Sequence, residues 1–217
     1  MKKAVVLLSG GLDSTTCAAI AKSEGYEIYA LTFDYGQRHS KETEYARKVG
    51  EMLGVKEHHV LRMNFSDIAA SALTRNTEIP EDRDMDSDEI PVTYVPARNT
   101  IFLSLALAYA ETIGTGDIFI GVSQIDYSGY PDCRGEYIEA YEKMANLATK
   151  AAVTGECKVT IHTPLINLTK ADTIRKGLAL GVDYDKTWSC YAGGETPCGH
   201  CDSCRLRAAA FKEVLGD

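Results

Sequence analysis

The sequence predicts an α/β fold in which a doubly wound parallel sheet is covered by helices. Short apolar runs alternate with segments of helical pattern along the first half of the chain, and strands separated by helices are typical of parallel sheets. A glycine-rich turn also stands between the first apolar run and the first helical segment. Ligands bind such folds outside the carboxyl ends of the strands, so we expect the functional site there.

Each element follows from the spacing of its apolar residues. The predicted strands cover residues 4–9, 26–33, 57–63 and 118–122, and the predicted helices lie near 15–24, 40–53, 99–113 and 202–215. The apolar composition of 99–113 predicts a buried helix, and a turn over residues 114–117 separates it from the next strand. A further helix is expected after Thr169, whose hydroxyl can cap a first turn.

Length and charge limit the functional classes. The 217 residues fit one domain of ordinary size with a sizeable core. A net charge of −8 argues against a broad nucleic-acid surface, which needs clustered Lys and Arg side chains. Met1-Lys2-Lys3 leads directly into a strand, and no apolar run approaches the roughly 20 residues of a membrane span. We therefore predict a single cytoplasmic domain over 1–217 that binds small molecules, with no nucleic-acid or membrane partner.

The glycine-rich turn reads Ser9-Gly10-Gly11-Leu12-Asp13-Ser14. Its two glycines let the backbone turn tightly and approach a ligand. The hydroxyls on either side and the free N–H groups of the following helix point at one spot, where the helix dipole favours an anion. The turn therefore predicts a phosphate site, and an ordinary strand-to-helix turn is the alternative.

The spacing of this turn resembles the Ser-Gly-Gly-x-Asp-Ser signature of PP-loop enzymes and differs from a Walker A motif, since no Gly-Lys-Ser/Thr follows the glycines. The resemblance implies that the chain holds the pyrophosphate end of ATP and cleaves between the α and β phosphates, releasing AMP and pyrophosphate. It also implies that Asp13 helps to bind Mg²⁺ and that Ser9 and Ser14 take part in catalysis. The residues expected to bind the nucleotide are Leu8, Ser9, Gly10, Gly11, Leu12, Asp13, Ser14, Thr15, Thr16, Cys17 and Ala18.

A cysteine cluster near the end of the chain predicts a metal site. Its members are Cys190, Cys198, Cys201 and Cys204, in the pattern Cys-x7-Cys-x2-Cys-x2-Cys. Four thiolates complete a tetrahedral site and favour zinc over magnesium or calcium. Because no position is left open for water, we expect one structural Zn²⁺ that organises the segment 188–217. An iron–sulfur cluster or redox-active thiols are the alternatives, and His200 is expected to be exposed.

Three further segments resemble one family of PP-loop enzymes, the 7-cyano-7-deazaguanine synthases of queuosine biosynthesis. They read Thr-Phe-Asp-Tyr-Gly-Gln-Arg-His at 32–39, Val-Pro-Ala-Arg-Asn at 95–99, and Gly-Val-Ser-Gln-Ile-Asp-Tyr-Ser-Gly-Tyr-Pro-Asp-Cys-Arg at 121–134. With the loop and the cysteine cluster, the resemblance covers essentially the whole chain. One departure is Ala97, where the family often has glycine.

The resemblance implies an ATP-dependent conversion of 7-carboxy-7-deazaguanine and ammonia to the nitrile. A carboxylate is a poor electrophile, whereas its adenylate carries AMP as a leaving group and can be attacked by ammonia to give an amide. A second adenylation, of the amide oxygen, followed by loss of AMP gives the nitrile, so two ATP molecules with Mg²⁺ are used for each product. A homodimer is also expected from the family.

Substrate recognition is assigned to the 126–134 segment. Asp126 and Asp132 are candidates to accept hydrogen bonds from the donor edge of a guanine-like base. Tyr127 or Tyr130 is a candidate to stack on its ring. For each of these residues the alternative is a surface ion pair or an ordinary turn position.

Three cationic side chains are candidates for the anionic groups of the substrates. Arg98 or Arg134 is expected to pair with the substrate carboxylate or with a phosphate through its guanidinium group. Lys170, at the start of the helix after Thr169, is assigned to the phosphates, and a solvated lysine is the alternative.

Two questions stay open at this level. The acidic segment 66–93 has no periodicity and is either a solvated loop or a lid over the substrate. The alternative functions are another PP-loop adenylating enzyme, such as a tRNA-thiolating or amidating enzyme, and a nucleotide- or nucleic-acid-binding module with a zinc knuckle.

Overall fold

The strands in the described part of the protein are all parallel and form one sheet. The computed structural model describes residues 1–37, 41–65, 67–74, 79–82, 90–125 and 130–216. Its strands are β1 (Lys2–Leu7), β2 (Tyr26–Asp34), β3 (Glu57–Arg62), β4 (Asp117–Phe119) and β5 (Thr160–His162). They lie in the order β3-β2-β1-β4-β5. The predicted parallel sheet is confirmed.

Helices connect these strands and cover both faces of the sheet. They are α1 (Leu12–Ser23), α2 (Lys41–Leu53), α3 (Arg98–Ile113), α4 (Gly135–Ala148), α5 (Lys150–Val153), α6 (Lys170–Ala179) and α7 (Asp202–Leu215), with short 3-10 helices at Pro131–Cys133 and Tyr184–Lys186. The cap predicted at Thr169 is confirmed, since its hydroxyl accepts a hydrogen bond from Asp172 N–H at 3.1 Å.

Several predicted boundaries differ from the structure. Strand β1 covers Lys2–Leu7 rather than 4–9. Helix α1 begins at Leu12 rather than near residue 15, because Gly11 already serves as its N-cap. Strand β4 ends at Phe119 rather than at 122. Sequence reasoning did not assign β5 or α4. Strand β5 has three residues, of which only Ile161 is buried, and three residues are too few for an alternating pattern to be recognised.

Two hydrophobic cores lie on opposite faces of the sheet, as the alternation of side chains along a strand requires. Val5 and Leu7 of β1 belong to a core shared with α3 and α4. Ala4 and Val6 belong to a core shared with α1, α2, α6 and α7. The prediction that α3 is buried is confirmed for its inward face. This arrangement is what makes the sheet doubly wound.

The strand order changes direction between β1 and β4, because β2 and β3 lie on one side of β1 while β4 and β5 lie on the other. Such a switch point opens a crevice at the carboxyl ends of the strands. The glycine-rich turn follows β1 directly. The fold therefore places the predicted phosphate site in that crevice.

Gly10 permits a close approach between this turn and α2. Its φ is +79°, and a Cβ at this position would overlap Ala46 N and lie 2.8 Å from the carbonyl oxygen of Glu42. On the other side, a Cβ at Gly121 would lie 2.9 Å from the carbonyl oxygen of Asp13. The turn is thus held between the backbone of α2 and the segment after β4.

Within the described ranges, no helix combines the length and the apolar character needed to cross a bilayer.

Replacement of Gly10 by Ala tests the close contact between the glycine-rich turn and α2. We expect Gly10→Ala to lower the free energy of unfolding by about 1–3 kcal/mol for overpacking, in addition to about 1–2 kcal/mol for the left-handed backbone. Gly25→Ala is the matched control, because Gly25 has φ +85° but nothing within 4 Å of its Cβ position. Urea denaturation measures both variants. Equal losses of stability in the two would contradict the close approach at Gly10.

Candidate active site

The phosphate loop, which we define as residues 8–14, is organised by its own hydroxyls. Ser9 Oγ and Ser14 Oγ lie 3.0 Å apart, and Ser14 Oγ also accepts a hydrogen bond from Ser9 N–H at 3.1 Å. Ser9 Oγ accepts a hydrogen bond from Gly11 N–H at 3.3 Å. Helix α1 has no side-chain cap at Gly11. The N–H groups of its first turn are therefore available to an anion, as the loop sequence predicts.

Asp13 and Lys170 form an ion pair at the edge of the phosphate loop. The ammonium group of Lys170 lies 2.7 Å from both carboxylate oxygens of Asp13. Lys170 is the first residue of α6 and is only 6% exposed, so the alternative of a solvated lysine is wrong. The assignment of Lys170 to the phosphates stays a prediction, and the structure brings it to the loop from 157 residues away along the chain.

A cavity of about 210 Å³ runs from the phosphate loop to the N-terminus of α3. Beside apolar side chains of the sheet and α3, the polar and aromatic residues that line it are Ser9, Asp13, Ser14, Tyr35, Glu42, Arg98, Asn99, Tyr130, Cys133, Lys170, Trp188, Ser189, Tyr191, Ser203 and Arg207. Leu73, from the described part of the acidic segment, also lines it. Residues 66, 75–78 and 83–89 of that segment lie outside the described residues, and its function as a lid stays a prediction.

The predicted nucleotide residues divide into two groups. Those that line the cavity are Leu8, Ser9, Gly11, Leu12, Asp13, Ser14 and Arg98, whereas Gly10, Thr15, Thr16, Cys17 and Ala18 do not. Cys17 is completely buried in the core, and burial raises the pKa of its thiol. The backbone of the loop and the first turn of α1 therefore form the binding surface, while the next turn of α1 packs inside the protein.

Arg98 forms part of the cavity wall at the N-terminus of α3. It is the first residue of α3, and its guanidinium is half-buried near Tyr35, Tyr130 and Asp132. Burial alone would lower the pKa of Arg98, but these neighbours raise it above its ordinary value, so the side chain is a permanent cation. Its position is suited to an anionic group of the substrate.

Asp132 forms hydrogen bonds with Asn99 at the N-terminus of α3, the helix that carries Arg98. Its Oδ2 accepts a hydrogen bond from Asn99 N–H at 3.1 Å, and Asn99 Nδ2 donates to the Asp132 carbonyl at 3.0 Å. The carboxylate is buried, binds a first-turn N–H of α3, and is not among the residues that line the cavity. A carboxylate is favourable at this end of a helix. The structure thus gives Asp132 a positioning role, and its predicted contact with the base stays untested.

The other predicted substrate residues are placed as follows. Tyr130 is buried and lines the cavity, and its hydroxyl lies 2.8 Å from Thr93 Oγ1. Arg134 is exposed at the N-cap of α4 and does not line the cavity. Asp126 and Tyr127 lie outside the described residues.

The four cysteines of the cluster come together as the spacing predicts. Their sulfur atoms lie within 4.8 Å of one another, close to the separation of about 4 Å expected for thiolates at zinc–sulfur bond length. Cys190 Sγ accepts a hydrogen bond from Cys198 N–H at 3.3 Å, and Cys198 Sγ accepts one from Cys201 N–H at 3.4 Å. Burial opposes the Cys198 thiolate, but backbone N–H groups lower its pKa to about 7. These donors can hold a metal ion.

The cluster is connected to the phosphate loop through Trp188. The N–H of Trp188 donates to the Gly10 carbonyl at 2.9 Å, while its indole N–H donates to the Cys190 carbonyl at 3.0 Å. His200 does not take part in this connection. It is 59% exposed and faces Asp82, so the expectation for His200 is confirmed.

Sequence reasoning missed several residues of the cavity. Arg207 follows Cys204 by one helical turn and donates to the Tyr184 carbonyl at 2.8 Å and to Thr187 Oγ1 at 2.7 Å. Burial lowers the pKa of Arg207. Glu42 was missed as well. No local pattern indicates either residue, because the contacts that bring them to the cavity are long-range.

Comparison with known proteins gives consistent matches along the chain. The family model described as queuosine biosynthesis protein QueC matches residues 3–215. The chain is 60% identical over 215 residues to the 7-cyano-7-deazaguanine synthase of Geotalea uraniireducens, covering 98% of this chain and 93% of the relative. It is 61% identical over 217 residues to the 7-cyano-7-deazaguanine synthase of Syntrophus aciditrophicus, covering 98% and 94%.

Solved structures resemble the fold at much lower identity. The NMN synthetase of Francisella tularensis has a TM-score of 0.53 at 16% identity, covering 99% of this chain and 77% of that one. A predicted subunit of tRNA methyltransferase from Methanocaldococcus jannaschii has a TM-score of 0.51 at 19% identity, covering 81% and 73%. At such identities these matches show a shared fold alone.

The backbone at Ala97 generates a prediction about stability. Ala97 has φ +54° and ψ +20° immediately before α3, and this left-handed conformation costs an L residue about 1–2 kcal/mol. We expect Ala97→Gly to raise the free energy of unfolding, although about 0.5–1 kcal/mol is lost to the greater freedom of glycine in the unfolded chain.

Ala108→Gly is the control for this prediction, because Ala108 is an exposed residue inside α3. It should lose about 1 kcal/mol, so the two variants should shift the urea midpoint in opposite directions. A loss of stability in both would show that Ala97 is not strained.

Proposed function

The chain belongs to the family of the queuosine biosynthesis protein QueC, and we propose that it converts 7-carboxy-7-deazaguanine and ammonia to 7-cyano-7-deazaguanine. The proposal includes two rounds of adenylation with ATP, first of the carboxylate and then of the amide. The names of the relatives support the reaction. The observation that carries it is the single cavity that joins the phosphate loop to Arg98.

The phosphate loop and Lys170 are proposed to hold the phosphates of ATP. The first-turn residues of α1 line the cavity and the helix has no side-chain cap, and Lys170 contributes a cation that the loop itself lacks. Asp13 is the carboxylate at the loop that fits Mg²⁺, a cation that prefers oxygen ligands. Mg²⁺ bound there would neutralise phosphate charge. When the nucleotide enters, Lys170 can pair with phosphate while Asp13 turns to the metal.

Arg98 is proposed to hold the carboxylate of the deazaguanine acid. It lines the same cavity as the phosphate loop, so a carboxylate paired with it would share that cavity with the α-phosphate of a nucleotide bound at the loop. The barrier to adenylation falls when the two reacting groups are held in line, because their approach is no longer a bimolecular event. Tyr35 and Tyr130 flank this position and limit access of water that would hydrolyse the adenylate.

The cysteine cluster is proposed to hold one structural zinc ion. Four thiolates leave no open position for water or substrate. The four cysteines are not among the residues that line the cavity, so their effect on the site passes through neighbouring residues. The cluster fixes Trp188 against Gly10 and begins α7, which carries Ser203 and Arg207 into the cavity. Zinc would therefore act on catalysis by holding one wall in place.

Replacement of Asp13 tests the proposed reaction. Asp13→Asn should lower the formation of AMP that depends on 7-carboxy-7-deazaguanine by about 100-fold or more, the scale expected for the loss of one charged group at a transition state. Glu24→Gln, at the exposed far end of the same helix, should leave the rate unchanged. AMP is measured by chromatography with and without the acid. AMP formation by the unmodified protein that is independent of the acid would contradict the proposed function.

Metal content and tryptophan fluorescence test the proposed zinc site. Metal analysis should find one zinc per chain and neither iron nor labile sulfide. Removal of the metal should change the fluorescence of Trp188, the only tryptophan. It should also lower the melting temperature by roughly 10 °C, for a loss of about 3 kcal/mol or more. Cys198→Ser should reproduce these effects and Cys157→Ser, which lies outside the cluster, should not. Stoichiometric iron would favour a thiolating enzyme instead.

A further inference from the structure

Formation of the amide requires neutral ammonia, because ammonium has no lone pair with which to attack an acyl adenylate. Ammonium is the predominant form at neutral pH, so a group in the cavity that takes its proton would supply the nucleophile where the carbon–nitrogen bond forms. Asp13 is held by Lys170 in the structure, and the proposed function assigns it to the metal. The base has to be another residue.

Glu42 is the remaining carboxylate among the described residues that line the cavity. It lies in the first turn of α2 and is half-buried. Its backbone is also close to the phosphate loop, since its carbonyl oxygen is one of the atoms that a Cβ at Gly10 would meet, at 2.8 Å. The close contact between the loop and α2 therefore fixes where this carboxylate enters the cavity.

The groups that face Glu42 are consistent with a role for this carboxylate as the base. Arg98 of α3 and Tyr35, which follows β2, both interact with it electrostatically. Arg98 is the proposed anchor of the substrate carboxylate, so a substrate held there would bring the carbon that ammonia attacks close to Glu42. No described residue donates a hydrogen bond to the Glu42 carboxylate, which leaves its oxygens available to a small cation.

The other candidate bases of this wall stay protonated at neutral pH. Burial raises the pKa of the Tyr35 hydroxyl to about 12, against the effect of Arg98, and burial raises the pKa of the Cys133 thiol to about 12. Burial also raises the pKa of Glu42, to about 7, although Arg98 opposes the shift. A base whose pKa lies near the working pH is well matched to proton transfer.

We propose that Glu42 binds ammonium and accepts one of its protons, so that neutral ammonia attacks the acyl adenylate. The nitrogen lone pair forms the new bond to the acyl carbon, and the bond from that carbon to the phosphate oxygen breaks with its electron pair leaving on AMP. The additional proton on the attacking nitrogen passes to water, and Glu42 later returns its own proton to solvent. This inference rests on the proposed function.

The experiment separates adenylation from attack by the nitrogen nucleophile. Pyrophosphate–ATP exchange that depends on the deazaguanine acid reports adenylation, and amide plus nitrile formation reports attack by ammonia. Hydroxylamine serves as a second nucleophile, because it is mostly unprotonated at neutral pH and needs no base to release its lone pair. The variants are Glu42→Gln, Glu42→Asp and the control Glu44→Gln. Glu44 lies in the same helical turn but is exposed and paired with Lys48.

We expect Glu42→Gln to keep the exchange activity and the rate of hydroxamate formation, while its rate with ammonia falls by about 100-fold or more. Glu42→Asp should recover part of the ammonia rate because it restores a carboxylate, and Glu44→Gln should behave as the unmodified protein. An unchanged ammonia rate in Glu42→Gln would overturn the proposal, and so would an equal loss with both nucleophiles or a loss of exchange. Absence of exchange in the unmodified protein would instead overturn the proposed function itself.

Discussion

The contact at Gly10 is the constraint on which the site depends. Three parts of the chain meet there through contacts between main-chain atoms. The phosphate loop turns through a left-handed conformation, α2 packs against the position where a Cβ would be, and Trp188 N–H donates to the Gly10 carbonyl. Because main-chain atoms make these contacts, little freedom is left for the loop relative to either neighbour. Glu42 and the cysteine segment are consequently fixed with respect to the nucleotide end of the cavity.

The charge of the cavity differs from the charge of the chain. The protein carries a net charge of −8, yet Lys170, Arg98 and Arg207 bring three cationic groups to a cavity with two described carboxylates. Phosphate and carboxylate ligands require such local cations, since their own charges are costly to remove from water without a partner. The sequence places these cations on three different helices. Their convergence is a product of the tertiary fold, which brings α3, α6 and α7 to the same cavity.

The walls of the cavity are secured by different means. The α3 wall depends on a buried carboxylate, that of Asp132, which accepts an N–H group from the first turn of the helix that carries Arg98. The α7 wall depends on the cysteine cluster, because Cys201 is the N-cap of α7 and Cys204 lies in its first turn, beside Ser203. Asp132 and the cysteine cluster both lie outside the cavity, and each affects the cavity by holding the N-terminus of a helix that lines it. Residues that hold the site therefore extend beyond the residues that touch ligands.

The sequence by itself determined the parallel sheet, the phosphate loop and the cysteine cluster, because each depends on residues close together in the chain. Alternating apolar runs, the Ser-Gly-Gly-x-Asp-Ser turn and the cysteine spacing are local patterns. Only the tertiary structure decided the pairing of Lys170 with Asp13, the use of Asp132 as a helix-end acceptor, and the presence of Glu42 and Arg207 in the cavity. These four side chains meet their partners across long sequence separations, where no periodicity or motif connects the two ends. Their positions follow from which helices pack at the switch point of the sheet, and that is a property of the folded chain.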